Sequence, residues 1–278
     1  MDKSVHTYLL NEPFTTESGF IFPESTIAYK TWGSLNNRGD NAVVIFHALT
    51  GNASADEWFH GLFESTEVVD PSRQFIICIN TLGSCYGTTG PASKNPETGK
   101  IYRGDFPKIT IRDIVAHQQQ LLDKLGVNEI EFVIGPSMGG MQALEFCIMD
   151  DRARAALLIG MSKAHSAWAI GISHAQRNAI KTDPNWKDGF YTDDHPPKQG
   201  LATARMMAML SYRSFDQYQE RFERSLQPGK NQFQVESYLN YQGKKLADRF
   251  DAWSYIRLTE AMDSHDVSRG RGSYSQPG

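Results

Sequence analysis

The sequence contains little cysteine: Cys78, Cys85 and Cys147 are the three in 278 residues, an odd number with no paired spacing. Such a set excludes a disulfide framework and a zinc knuckle, and no metal site is expected. Long apolar runs are lacking too. No stretch reaches the roughly 18 apolar residues of a membrane-spanning helix, and residues 1–18 hold no continuous apolar segment of the kind a secretory signal needs. A cytoplasmic location is the expectation. Charge of one sign is also missing, because 28 Lys and Arg against 32 Asp and Glu leave a formal net charge of −4. That balance offers no footing for nucleic acid or an anionic membrane and directs attention to small-molecule chemistry. There is no internal repeat and no low-complexity tract.

What is present suits one sizeable core carrying an insertion. The first half alternates short β-branched runs with amphipathic segments, the pattern of a mostly parallel sheet covered by helices. Strands are predicted at residues 26–31, 42–46, 74–80, 130–134 and 155–159. A helix is predicted over 111–125, since Ile111, Ile114, Val115, Leu121, Leu122 and Leu125 repeat at helical spacing. Thr110 with Asp113 suits its start and Gly126 its end. After Gly160 the character changes. Segments 164–180, 200–211, 215–226 and 235–248 are rich in Ala, Met and Gln, carry helical spacing and read as a helical cap. Residues 181–198, with Asp183-Pro184 and Pro196-Pro197, break into a loop. The expected organisation is a core over 1–160, a helical lid over 161–262, and a return segment with an exposed tail over 263–278. Cys78 lies in an apolar run and is expected in the core, and Cys85 is expected as a buried or half-buried thiol without catalytic duty.

Gly135-Pro136-Ser137-Met138-Gly139 fits G-x-S-x-G, between the predicted strand 130–134 and the helix-compatible run 141–149. A serine lifted on a sharp strand-to-helix turn needs neighbours without a β-carbon where the chain packs closely. It also sits at the positive end of the following helix, where peptide N–H groups are unpaired, so the Met138 N–H is placed to stabilise an oxyanion. Ser137 is therefore the candidate nucleophile. The second oxyanion donor is expected in the turn after strand 42–46, His47-Ala48-Leu49-Thr50-Gly51, with Leu49 N–H as the candidate. His47 reads as a structural hydrogen-bonding residue there, because the base of such a site follows the serine in the chain. The loop from Gly83 to Gly90 lacks the ending of a P-loop and the spacing of a dinucleotide fingerprint, so a nucleotide-binding enzyme is not expected.

Several segments together carry a wider resemblance. They are His47-Ala-Leu-Thr-Gly-Asn52, Asn80-Thr-Leu-Gly-Ser-Cys-Tyr-Gly-Thr-Thr-Gly-Pro91, Asn95-Pro-Glu-Thr-Gly-Lys100, Phe106-Pro107 with Thr110-Ile-Arg-Asp113, Ser137-Met-Gly-Gly-Met-Gln-Ala-Leu-Glu145 and Val235-Glu-Ser-Tyr-Leu-Asn-Tyr-Gln-Gly243. On these, the chain resembles the homoserine O-acetyltransferases across nearly its whole length. The resemblance implies an α/β-hydrolase fold with a mostly parallel sheet flanked by helices and a helical lid. It implies a ping-pong acyl transfer from acetyl-CoA, a cosubstrate, to Ser137 and then to the hydroxyl of L-homoserine, in methionine biosynthesis. No further cofactor is implied, and a homodimer formed through the lid is. Arg205 interrupts the apolar run Ala202, Ala204, Met206, Met207, Met209, Leu210. A guanidinium there can grip a carboxylate through two parallel hydrogen bonds, and on the residues alone that reading stands even with a solvent-facing or helix-pairing role; the resemblance assigns Arg205 to the amino-acid substrate's carboxylate.

Two departures accompany the resemblance. Pro136 and Ser84 stand where the family usually has glycine. The triad acid and histidine, expected on loops after two further strands, find no matching strand pair between Gly160 and Gly278, so the last core strands and the terminal Gly-His-Asp are expected to be missing; if the chain is complete as it stands, very weak or no turnover is expected. His265, in Ser264-His265-Asp266, matches the stretch returning from the lid, not the terminal motif. His60, His117, His165, His174 and His195 are expected in surface or packing roles. Alternative activities are transfer to serine, succinyl transfer, ester hydrolysis, or binding without catalysis.

Overall fold

The computed structural model describes residues 4–64 and 66–272. Its strands are β1 (His6–Leu10), β2 (Phe14–Thr15), β3 (Ile21–Phe22), β4 (Ser25–Trp32), β5 (Ala42–Phe46), β6 (Phe75–Ile79), β7 (Ile130–Pro136) and β8 (Ala156–Ile159). Its helices are α1 (Ala55–Trp58), α2 (His60–Phe63), α3 (Ile111–Lys124), α4 (Met138–Met149), α5 (Ala167–Lys181), α6 (Lys198–Ser211), α7 (Phe215–Phe222), α8 (Gln234–Ala247) and α9 (Ala252–Asp263). The chain forms two compact units, one of Met1–His165 with Arg257–Gly278, the other of Ser166–Ile256. The second unit begins and ends a few residues inside the expected lid, and its end falls within α9, a helix that the sequence reading left unassigned.

In the first unit six strands run in the order β1-β4-β6-β5-β7-β8. β1, β4 and β6 pair antiparallel, and β6, β5, β7 and β8 pair parallel. Each of the five predicted strands is present within one or two residues. Strands β5 and β6 are buried at every position, as continuous apolar runs in a parallel sheet covered on both faces must be. Fully buried Val43, Ile45, Ile76 and Ile134 pack with Trp32 and Leu62 on one face, each contributing about 1.5–3 kcal/mol through burial. At the other end, β8 is exposed at all four positions, with Leu157 and Ile159 among the exposed apolar side chains. Its outer edge has no strand partner among the described residues.

Helix α3 starts on a full capping box. Thr110 Oγ1 accepts the Asp113 N–H at 3.1 Å and Asp113 accepts the Thr110 N–H at 2.9 Å, while Gly126 takes φ +77° just beyond the helix. Residues 162–165 and 263–267 run side by side: His165 N–H donates to His265 O at 2.8 Å and Val267 N–H to Lys163 O at 3.0 Å. Part of the expected exposed tail is held down, since Arg269 pairs with Glu17 at 2.6 Å and Arg271 with Glu145 at 2.7 Å. The remainder of that tail, 273–278, lies outside the described residues.

The second unit is helical. Its helices α5, α6 and α8 cover three of the predicted cap segments, and α7 stops at Phe222, four residues short of expectation, where Glu223 turns to φ 45°. Between α5 and α6 the chain is a loop with one short 3-10 turn, Lys187–Gly189.

Candidate active site

The parallel strands β5, β6 and β7 end side by side, which is where open α/β sheets place their ligands. From β7 the chain passes directly into α4, and Ser137 is the junction. Its backbone sits at φ 55°, ψ −122°, a conformation that costs a side chain on the order of 1–3 kcal/mol and persists only where the surroundings enforce it. They do so here. Ser137 N–H donates to Ile159 O of β8 at 2.8 Å. A β-carbon on Gly135 would stand 2.1 Å from Gly139 O, and one on Gly139 would stand 2.1 Å from Phe46 O, so both glycines are required by backbone closeness. Pro136 is tolerated for a geometric reason. Successive N–H groups of a strand point to opposite sides, so with Ser137 directed at β8 the position of Pro136 faces β5, whose ladder with β7 has already ended at Ile134. No ladder bond is lost. The helix starts three residues earlier than predicted, at Met138, because the elbow turns within a single residue.

Met138 opens α4 and its N–H has no partner among the described residues, as expected for a first-turn amide. Leu49 N–H, in the turn after β5, is likewise unpaired. That turn lies against the first turn of α4, where Gln142 Nε2 donates to His47 O at 3.3 Å. Ser137, Leu49 and Met138 are thus brought together in the first unit.

His47 is fully buried and occupied on both nitrogens. Nε2 accepts the Thr81 N–H at 3.0 Å, and Nδ1 faces Ala48 O at 2.8 Å. An acceptor at Nε2 and a donor at Nδ1 define the neutral tautomer. Burial lowers its pKa to about 4, against the opposing pull of the Ala48 carbonyl and of the Asn80 amide, which lies alongside without a normal hydrogen bond. His47 is a structural residue, as read from sequence. His265 Nε2 is bound to Ser162 O at 3.0 Å, and His165 Nδ1 lies 3.1 Å from Asp263 Oδ1. Among the described residues no histidine hydrogen-bonds Ser137. Nor do three His, Cys, Asp or Glu side chains gather as a metal ion would require.

Arg205 lies on α6 in the second unit, half-buried, with its guanidinium carbon 5.6 Å from the centre of the Tyr212 ring. Burial pushes the nearby Tyr255 phenol up, with Arg205 pulling it back. No carboxylate pairs with Arg205 among the described residues. Cys78 is buried and its thiol is held protonated by that burial, Cys85 is half-buried and Cys147 exposed, and none is bonded to another.

The α/β-hydrolase fold family matches residues 41–254. Homoserine O-acetyltransferase of Chlorobium chlorochromatii is 54% identical over 272 residues, covering 97% of this chain and 76% of the relative. The chain belongs to the homoserine O-acetyltransferase family. A crystal structure of the family member from Bacillus anthracis superposes with a TM-score of 0.88 at 25% identity, over 98% of this chain and 78% of that one. Esterase E22 superposes with a TM-score of 0.76 at 25% identity, over 96% and 82%. No helix here is long and apolar enough to cross a membrane among the described residues.

The sequence reading does not single out three residues beside the candidate groups: Tyr212, next to Arg205 in the second unit, and Gln142 with its partner Gln118, buried under the Ser137 turn in the first. An exposed aromatic after a helix and glutamines within helices carry no signal of their own.

Proposed function

We propose that this protein transfers an acetyl group from acetyl-CoA to the hydroxyl of L-homoserine through an acyl-Ser137 intermediate, a step of methionine biosynthesis. The observation that carries the reading is the strained Ser137 turn beside two unpaired amides, and the identity to relatives of that name supports it. In the first step Ser137 Oγ attacks the thioester carbon, and the oxygen that becomes negative is met by the N–H groups of Leu49 and Met138. Collapse breaks the carbon–sulfur bond, and the CoA thiol leaves with the serine proton. In the second step the homoserine hydroxyl attacks the acetyl carbon and Ser137 recovers its proton. Both steps need a base to carry that proton, and we assign none of the described histidines to it. Arg205 holds the homoserine carboxylate through two parallel hydrogen bonds. A homodimer through the second unit is supported by its exposed Trp168, Phe215 and Tyr241, and a cytoplasmic location by three cysteines that form no disulfide with one another.

Incubation with acetyl-CoA, with and without L-homoserine, tests the proposal. Acetyl on Ser137 by mass spectrometry, and O-acetylhomoserine formed together with free CoA thiol, are the expected results, both lost in Ser137→Ala. L-serine as acceptor and succinyl-CoA as donor separate the related transferases. The likeness to esterase E22 favours a second reading, ester hydrolysis, which free acetate as the dominant product would establish instead. Failure of Ser137 to take an acyl group from any donor overturns both and leaves a binding module.

A further inference from the structure

Beneath the Ser137 turn lies a polar cluster with no access to solvent: His47, Thr81, Gln118 and Gln142 are each 0% exposed. Gln142 is its centre. Nε2 donates to His47 O and to Met138 O, each at 3.3 Å, and Oε1 accepts from Gln118 Nε2 at 3.0 Å and Thr81 Oγ1 at 3.4 Å. Two carbonyl oxygens on one side of the carboxamide can be met only by its NH₂, so the orientation is dictated by the partners. Groups buried this deeply are costly if left unpaired, and every polar atom of Gln142 is paired.

The two carbonyls it joins are telling. Met138 carries one oxyanion amide, and His47 lies two residues before Leu49, which carries the other. These amides come from different elements, a helix start and a turn after β5, and the β5–β7 ladder ends at Ile45 with Ile134, before either is reached. An oxyanion hole works only when both donors reach within about 2.7–3.1 Å of one oxygen, so a connection beyond the ladder is needed. We propose that Gln142 is the positioning residue of the oxyanion hole, its side chain fixing the turn that carries Leu49 against the helix start that carries Met138. The inference rests on the reading of Ser137 as nucleophile with those two amides as its oxyanion donors.

The test measures the acyl carbonyl directly. Wild-type protein and Gln142→Met are acetylated at Ser137 with carbon-13-labelled acetyl-CoA, or with labelled p-nitrophenyl acetate, and the carbonyl stretch is recorded by infrared difference spectroscopy. Hydrogen bonding in the hole polarises the carbonyl and lowers its frequency. The wild type is expected to show the lowered band and Gln142→Met to lose it, with kcat for acyl transfer falling about 10- to 100-fold, a fraction of the effect of deleting a donor outright, while KM for acetyl-CoA stays within about twofold. Gln142→Glu, which keeps the shape and the contacts to Gln118 and Thr81 but sets oxygen against the two carbonyls, gives the same readout if the Met variant does not fold. A lowered band unchanged in the variants overturns the positioning role and leaves the nucleophile intact. A wild-type protein that neither donor acylates overturns the nucleophile reading and this inference with it.

Discussion

The backbone nitrogen of Thr81 lies 3.0 Å from Nε2 of His47, so a proton added to that nitrogen must break the bond. His117 is placed in a similar way, fully buried with Nε2 2.9 Å from Ser25 Oγ, and burial holds its pKa at about 3. Both rings have folded pKa values below the ordinary 6.5. Below pH 6.5 the unfolded chain therefore binds protons that the folded chain refuses. The stability they allow is fully present above 6.5 and is lost as pH falls toward 4 and then 3. At pH 5 the loss is about 2 kcal/mol per ring. His117→Gln, which can still bond Ser25, is expected to show a difference in unfolding free energy between pH 7.5 and pH 5 that is smaller than that of the wild type by about this amount. Urea titrations at the two pH values check it; an unchanged difference would exclude His117 from the acid response.

Two glycines in helices give opposite expectations from their surroundings. Gly139 would place a β-carbon 2.1 Å from Phe46 O, a backbone atom that cannot step aside, whereas Gly171 in α5 would meet nothing within 4 Å. Gly139→Ala should cost about 3 kcal/mol or fail to fold. Gly171→Ala should stabilise by up to about 1 kcal/mol through backbone entropy and helix propensity. Thermal unfolding of the pair decides it, and equal shifts in the same direction would mean that the close approach at α4 is not rigid.

The sheet centre and the elbow were legible because their signals are local. Strands β5 and β6 are unbroken apolar runs, and the glycines flanking Ser137 mark a turn that only small residues permit. The two-residue β2 and β3 are too short to establish a period, and the edge strand β1, as long as β5 but half-exposed and mixed in polarity, lacks the unbroken apolar run that marks the sheet centre. Helix α9 was hidden by its own buried polar residues. Arg257 on that helix breaks the apolar pattern; besides Glu260 one turn on, it bonds the carbonyls of Phe106 and Gly104, about 150 positions away in the chain, which no periodicity reveals. Gln142 was unreadable for the same reason: its meaning lies in His47 and Thr81, which the fold brings to it.

Arg205 tests the acceptor half of the proposed reaction. A charged hydrogen-bonded contact to a carboxylate contributes roughly 1.5–3 kcal/mol, so Arg205→Ala should raise KM for L-homoserine about 10- to 100-fold. KM for acetyl-CoA and the acetylation of Ser137 should hardly change. Arg205→Lys should recover only part of the loss, because a single ammonium cannot reproduce the planar fork. Steady-state kinetics with each substrate varied in turn separates the two KM values, and an equal rise in both would assign Arg205 to the structure of the second unit.

Glu145 anchors the return segment. Its side chain is 2% exposed and meets Arg112 at 3.3 Å and Arg271 at 2.7 Å, the two arginines being 14% and 23% exposed. Replacing the carboxylate by a neutral amide leaves the two guanidinium groups without their buried counter-charge, yet Arg112 keeps Glu17 at 3.6 Å and the carbonyls of Asp266 and Arg269, and Arg271 keeps that of Val267. The penalty should therefore fall at the low end of that for a broken buried pair, about 3 kcal/mol for Glu145→Gln. Arg271→Ala leaves Glu145 still paired with Arg112, so it should cost less, about 1 kcal/mol. Both variants should quicken amide exchange over 267–272, the segment whose side chains the carboxylate holds. Denaturant titration with hydrogen exchange measures both effects. A larger loss from Arg271→Ala than from Glu145→Gln would mean that the guanidinium, and not the buried carboxylate, holds this segment to the core.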